Sequence, residues 1–445
     1  MRFPFPVLKA AFATGILIVA GAASAQPKGY NYDEAKVPQY ELPDPLVFND
    51  GKPVKTRADW GRRRAEVLKL FRDHVYGHAP KLRGGLRVTV LSEGVALNGL
   101  AVRKQVRIQL TDKPYGPRFD LLIYRPNAAT KPVPAVIGYN FNGNHSIHSD
   151  PAIRVTKSWV RKKKGSGAVD HRATEAGRGK SANRWALEKI LNRGYALATI
   201  YYGDVEPDHK DGWQSSLRSY HLQPGRTAPA PTDWGAIAAW SAGLSRALDY
   251  LGTDRSINEK QVALIGHSRL GKTSLWAGAS DERFALVISN NSGCGGAALS
   301  RRAFGETVER INTSFPHWFN DRFNRYNDNE NACPVDQHML ISLIAPRPVY
   351  IASAEKDQWA DPNGEFLSGK HAGPVYELLG KQGLGVDTQP GLNQPVGDTI
   401  AYHYRTGGHD VTDYDWEQYL NFADRHFNPV KPAAPAVKQQ TPVKN

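Results

Sequence analysis

Two cysteines, Cys294 and Cys333, are all the thiols in a chain of 445 residues. That scarcity excludes a dense disulfide framework and a zinc site of four cysteine ligands. Long apolar runs are missing too: beyond residue 25 no stretch of 18 apolar residues occurs, so no spanning helix is expected. No internal repeat is visible. Acidic residues are in short supply, 43 against 57 Lys and Arg, which leaves a formal charge of +14. At 40% hydrophobic and 22% charged, the composition is globular, neither disordered nor fibrous. Ten Trp and nineteen Tyr are generous for this length. Rings of this kind often line sugar-binding clefts, although most are expected in packing.

The first 25 residues read as a secretory signal. Arg2 and Lys9 give a positive start, residues 10–23 are apolar, and Ala23-Ser24-Ala25 is a small-residue cleavage site. Cleavage after Ala25 would leave a chain of charge +12, secreted or periplasmic and free of the membrane. A basic exported protein suits acidic polysaccharides, and nucleic acid is not an expected partner. Ten of the basic residues fall in 154–184, against Asp170 and Glu175. The plain expectation there is a solvated, mobile loop; the functional alternative is a basic rim over a cleft.

Residues 26–430 are expected to form one α/β domain, and the Pro, Ala, Lys and Gln tail 431–445 to be unstructured. Thr56 with Asp59 resembles a capping box opening a helix to about Tyr76, with Trp60, Val67, Leu68, Phe71 and Val75 on one face. Residues 86–90, 101–110 and 119–125 alternate apolar and polar, as antiparallel strands do. Short apolar runs at 133–137, 196–200, 262–265, 286–289 and 348–352 then alternate with helical stretches at 184–192, 234–251, 269–279 and 416–426. Such spacing indicates a mostly parallel sheet covered on both faces.

The segment Gly266-His267-Ser268-Arg269-Leu270-Gly271-Lys272-Thr273 reads strand, tight turn, helix, and admits two chemistries. Its glycines and Lys272-Thr273 match a phosphate-cradling loop, but an exported chain meets little ATP. The same residues hold Ser268 at the apex of a strand-to-helix turn, where the helix N-terminus favours a developing oxyanion. The match to the nucleophile elbow is imperfect, since Leu270 stands in place of the second glycine. The plain alternative is a serine that caps a helix. Partners follow in the order that a serine hydrolase of this kind needs, with an acid and then a histidine. Asp357 lies in the loop after the run 348–352, and His409 follows Gly407-Gly408 just before the last helix. His403, in an alternating stretch, is expected to pack instead.

These residues resemble carbohydrate esterase family 15, the glucuronoyl esterases (4-O-methyl-glucuronoyl methylesterases), in its bacterial form. The resemblance rests on 266–272, on Asn291-Ser292-Gly293-Cys294 running to Arg302, and on Phe304-Gly305-Glu306. It rests also on Asp336-Gln337-His338, Ala345-Pro346-Arg347-Pro348, 357–366, Gly407-Gly408-His409-Asp410 and Asn140-Phe141-Asn142-Gly143-Asn144-His145. It implies an α/β-hydrolase fold, a three-layer sandwich with N-terminal antiparallel strands, and a Ser-His-acid triad with no cofactor and no metal. By resemblance Ser268 is the nucleophile, His409 the base, and Arg269 the side chain at the oxyanion. Lys272, Glu306 and Trp359 would bind hydroxyls of a uronate ring, and Lys272 lies at i+4 from Ser268 on the same helix face. The implied substrate is the ester between glucuronic acid of glucuronoxylan and lignin alcohols, handled by a monomer. Cys294 departs from the pattern, because many members carry a glutamate there as the triad acid. The acid is therefore expected to be Asp357, and Cys294 is free to form a disulfide with Cys333. A xylan acetyl esterase on the same fold and a non-catalytic polysaccharide-binding protein are the other readings.

Overall fold

The computed structural model describes residues 26–429 apart from 81, 83, 84 and 114. The expected signal sequence and the tail from Lys431 lie outside the described residues. Among the described residues ten strands form one sheet: β1 (Val88–Ala96), β2 (Ala101–Gln109), β3 (Arg118–Pro126), β4 (Val133–Asn140), β5 (Ala196–Tyr201), β6 (Ile257–His267), β7 (Leu286–Asn290), β8 (Val349–Ala354), β9 (Val396–Gly397) and β10 (Ile400–Arg405). Their order is β1-β2-β3-β5-β4-β6-β7-β8-β10-β9. The block β5-β4-β6-β7-β8-β10 is parallel throughout. The pairs β1–β2, β2–β3, β3–β5 and β9–β10 are antiparallel. The alternating segments near the N-terminus thus supply the antiparallel flank, and the continuous apolar runs supply the parallel centre.

The helices are α1 (Arg57–Phe71), α2 (Leu187–Asn192), α3 (Tyr202–Val205), α4 (Ala236–Leu251), α5 (Arg269–Ser280), α6 (Val308–Ser314), α7 (Gln337–Ser342), α8 (Pro362–Leu378) and α9 (Asp413–Phe427). They divide the core into two hydrophobic clusters, one on each face of the sheet. Ala135, Ile137, Val262, Leu264, Val349 and Ile351 face α1, α4, α5, α7 and α8. Their neighbours Val136, Ala263, Ile265, Tyr350 and Ala352 face α2 and α9. Because successive side chains point to opposite faces and both faces are dry, these strands show no polar alternation.

Thr56 and Asp59 exchange both hydrogen bonds of a capping box at the start of α1, an arrangement worth about 1 kcal/mol. The α-helix stops at Phe71 and continues as one wide turn over 72–76. Helix α8 and strand β10 were not expected. Gly364, Gly369, Gly373 and Pro374 make α8 read as loop, yet Asp361 caps it and Pro362 occupies its first turn, where a missing N–H costs nothing.

Two expectations need correction. Cys294 and Cys333 are both buried and both free thiols. The segment between them is closed by Arg301 instead, which donates to the carbonyls of Asn331, Cys333 and Val335 and pairs with Asp336 at 3.2 Å. Burial pushes the Cys333 thiol up to about 12. The basic segment 154–184 is also tied down rather than mobile. Arg178 donates to the carbonyls of Asp150 and Ile153, and Trp159 stacks on His171 with ring centroids 4.9 Å apart. Its tip, Arg161 to Gly165, is an unbroken exposed run that carries Lys162, Lys163 and Lys164. Among the described residues no helix is long and apolar enough to cross a membrane, and no cluster of three or more His, Cys, Asp or Glu could hold a metal.

Candidate active site

Strand β6 ends at His267 and α5 begins at Arg269, so one residue must reverse the chain. Ser268 does so with φ 58° and ψ −129°, a conformation costing about 1–3 kcal/mol for a residue with a side chain. Its N–H donates to the Asn290 carbonyl at 2.9 Å, and its carbonyl accepts from Gly271 and Lys272, which starts the helix. The turn closes tightly: a Cβ on Gly266 would come within 1.9 Å of the Leu270 carbonyl oxygen. Ser268 alone separates β6 from α5, so residues 269–273 are helical and form no loop around a phosphate, which disfavours the nucleotide alternative. Ser268 stands at the cap of α5, but its hydroxyl makes no capping hydrogen bond. The plain helix-cap alternative fails as well, and the hydroxyl remains available for chemistry.

Asp357 and His409 come together although 52 positions separate them. Asp357 Oδ2 lies 2.6 Å from His409 Nδ1 and accepts a second hydrogen bond from Asn291 Nδ2 at 2.7 Å. The carboxylate is buried, whereas the His409 side chain is 43% exposed. The His409 ring centroid is 4.4 Å from that of His267, the residue before Ser268. Burial, followed by the charge of His409, holds the His267 imidazole far below its ordinary value, so it stays neutral beside the elbow. The other carboxylates of this loop are occupied. Asp361 pairs with Arg302 at 2.8 Å, and Glu355 accepts from the Gly407 N–H at 3.3 Å. His403 is fully buried between Tyr350 and Asp415, at 3.0 and 2.9 Å, and packs as expected.

The guanidinium of Arg269 lies against Trp318, 4.9 Å from its ring centroid, with Phe315 at 5.4 Å. It donates through Nη1 to the carboxylate of Asp208. Lys272 is buried on the next turn. Its ammonium donates to the Ser292 carbonyl at 2.5 Å and faces Glu306 Oε2 at 3.5 Å. The Glu306 N–H in turn donates to the Trp359 carbonyl at 3.0 Å, so Lys272, Glu306 and Trp359 form one contiguous group. Trp318 links this group to Arg269, since the Lys272 ammonium is 6.0 Å from the same ring.

Several supporting residues escaped sequence reasoning. Asn291 buttresses Asp357. Glu365 is fully buried and accepts from the N–H groups of Ser292 and Gly293, at 2.7 and 3.0 Å, which fixes the turn that carries Asn291. Arg405 holds the glycine loop through the carbonyls of Thr406, Gly408 and Asp410 while pairing with Asp415. The Asn291 and Glu365 contacts join residues distant in sequence, so no local spacing announces them, whereas those of Arg405 are local but follow no helical or strand period. The one available signal was chemical: Arg405 is a charged group closing the largely apolar stretch 400–404.

A serine freed of capping, an imidazole oriented by a carboxylate, and fixed cations beside them are the parts of an acyl-transfer site. The family model for glucuronyl esterases of fungi matches residues 194–380, a span that holds the elbow and Asp357. Carbohydrate esterase MZ0003, from an unknown prokaryotic organism, is 54% identical over 404 residues, 91% of this chain and 93% of the relative. The solved structure of a promiscuous CE15 esterase from a marine bacterial metagenome superposes with a TM-score of 0.84 at 53% identity, covering 90% of this chain and all of that one. The glucuronoyl esterase from Solibacter usitatus superposes with the same score at 49% identity, covering 88% of this chain and all of its own. With the sheet order, the elbow and these relatives in agreement, the chain belongs to carbohydrate esterase family 15, the glucuronoyl esterases, and is a carboxylic ester hydrolase on the α/β-hydrolase fold.

Proposed function

We propose that the enzyme hydrolyses the ester between (4-O-methyl-)glucuronic acid of glucuronoxylan and a lignin alcohol, with Ser268, His409 and Asp357 as its triad. The observation that carries this reading is the 2.6 Å pair of His409 Nδ1 and Asp357 on the side of the elbow where His409 meets His267. With Nδ1 engaged by the carboxylate, Nε2 is the nitrogen left to accept the Ser268 proton. The Ser268 oxygen then bonds to the ester carbon, and the carbonyl oxygen takes up negative charge beside Arg269. The tetrahedral centre collapses, the alcohol departs with the proton from His409, and an acyl-enzyme remains. Water repeats the sequence and releases the uronic acid. Lys272, Glu306 and Trp359 contact ring hydroxyls of the sugar, and their contiguity supports a shared task. The N-terminal signal supports export, the site uses no cofactor, and the enzyme works as a monomer.

A broader acyl range is the second reading. It is favoured by the 53% identical marine esterase, which is described as promiscuous. One experiment tests both. Turnover of benzyl glucuronate should exceed that of a small acetyl ester, and Ser268→Ala should lower kcat on the uronate ester by about 10⁶. Near-normal turnover in the variant would remove Ser268 from the mechanism, and comparable native rates on both esters would favour the promiscuous reading.

A further inference from the structure

Asp208 is a carboxylate with almost no solvent exposure, and five side chains converge on it. Oδ1 lies 2.8 Å from His317 Nε2 and accepts from Trp318 Nε1 at 2.8 Å. Oδ2 accepts from Tyr202 at 3.0 Å and from Arg269 Nη1, and Arg161 stands 3.2 Å away. Arg161 also donates to the Asp208 backbone carbonyl at 2.6 Å. Burial opposes the charge of this carboxylate, but the His317 hydrogen bond and the nearby arginines hold it ionised, well below the usual carboxylate range. The remaining Arg269 donors are less occupied: its buried Nε has no hydrogen-bond partner among the described residues.

A guanidinium has five N–H donors in a rigid fork and would otherwise sweep through many rotamers. Here one arm is anchored on a fixed anion and the plane lies against Trp318, which defines the orientation before substrate arrives. Prearranged charge of this kind stabilises a developing oxyanion most, because no reorganisation is needed during the reaction. We propose that Asp208 is a positioning residue of this esterase, which fixes the Arg269 guanidinium for the oxyanion and acts only through it. The inference rests on the assignment of Arg269 to the oxyanion. It also explains the mooring of the basic segment: Arg161 shares the same anchor, so that segment is fastened at the edge of the reacting centre.

The test is a double-mutant cycle on benzyl glucuronate with Asp208→Asn and Arg269→Ala, with kcat and KM read separately. Asp208→Asn alone should lower kcat by about ten- to a hundredfold and leave KM within about twofold. Added to Arg269→Ala, it should cost less than about twofold more, because nothing is left to position. Losses that multiply would overturn the proposal, as would a loss carried by KM or an unchanged kcat in the single variant. No effect of Arg269→Ala by itself would instead defeat the oxyanion assignment. Should Asp208→Asn fail to fold, Tyr202→Phe removes one donor from the same oxygen and keeps the charge. A severalfold fall in kcat that disappears in the Arg269→Ala background would then uphold the positioning role, and a fall that persists there would refute it.

Discussion

Glu365 shows what a single buried carboxyl does beneath the site. Burial pushes it up to about 8 from an ordinary 4.5; hydrogen bonds from Ser353, Gly293 and Ser292 pull it down, and the charge of Asp357 adds to the rise. The folded chain therefore keeps this proton over a range where the unfolded chain has released it. The group's contribution to stability is whole below about 4.5 and is lost as pH rises through about 8. Glu365→Gln imitates the neutral acid: its carbonyl can still accept from Ser292 and Gly293, and its amide can donate to Ser353. Denaturant titrations of the native chain should lose on the order of a few kcal/mol from about pH 5 to above 8, and the variant should lose much less. Equal slopes for the two would mean that Glu365 is ionised throughout.

The elbow is the element whose chemistry was most legible, because strand, glycine, serine and helix follow one another within a dozen residues. Leu270 in place of the second glycine proved harmless: its side chain is buried, and Gly271 provides the close approach to Ser292. Gly266 has no such latitude. Gly266→Ala would drive a methyl group into the Leu270 carbonyl, and overpacking of this sort costs about 1–3 kcal/mol or more. A lowered Tm together with a large loss of turnover is expected; an unchanged Tm would mean that the turn relaxes without penalty. The parallel strands were legible from their dry runs, and His409 from its glycine loop. Helix α8 was hidden by its glycines, since its stability comes from burial against β8 and β10 and from the Asp361 cap rather than from propensity. Asn291, Asp208 and the Arg405–Asp415 pair were hidden for a different reason. Their partners are set by tertiary structure: β7 and β8 lie side by side and bring Asn291 to Asp357, Asp208 beyond β5 meets Arg269 beyond β6, and α9 docks Asp415 on the end of β10.

At the scale of the whole molecule, charge and topology act together. The net charge, +14 for the full sequence and +12 without residues 1–25, and the exposed lysines at the tip of the basic segment should draw in a polyanionic xylan but hardly affect a small ester. Raising the salt from about 50 mM to about 500 mM shortens the screening length from roughly 14 Å to about 4 Å. KM on polymeric glucuronoxylan should rise severalfold over that range while KM on benzyl glucuronate stays constant; parallel behaviour would assign the basic segment no role in binding. The last helix has a wider consequence. Asp415 on α9 fastens Arg405, and Arg405 fastens the loop that presents His409. The elbow, the anchor at Asp208 and the Asp357 loop all precede α9 in the chain, whereas the loop of the base is held through it. Turnover should therefore depend on the packing of α9, and ester hydrolysis would report the integrity of the last helix.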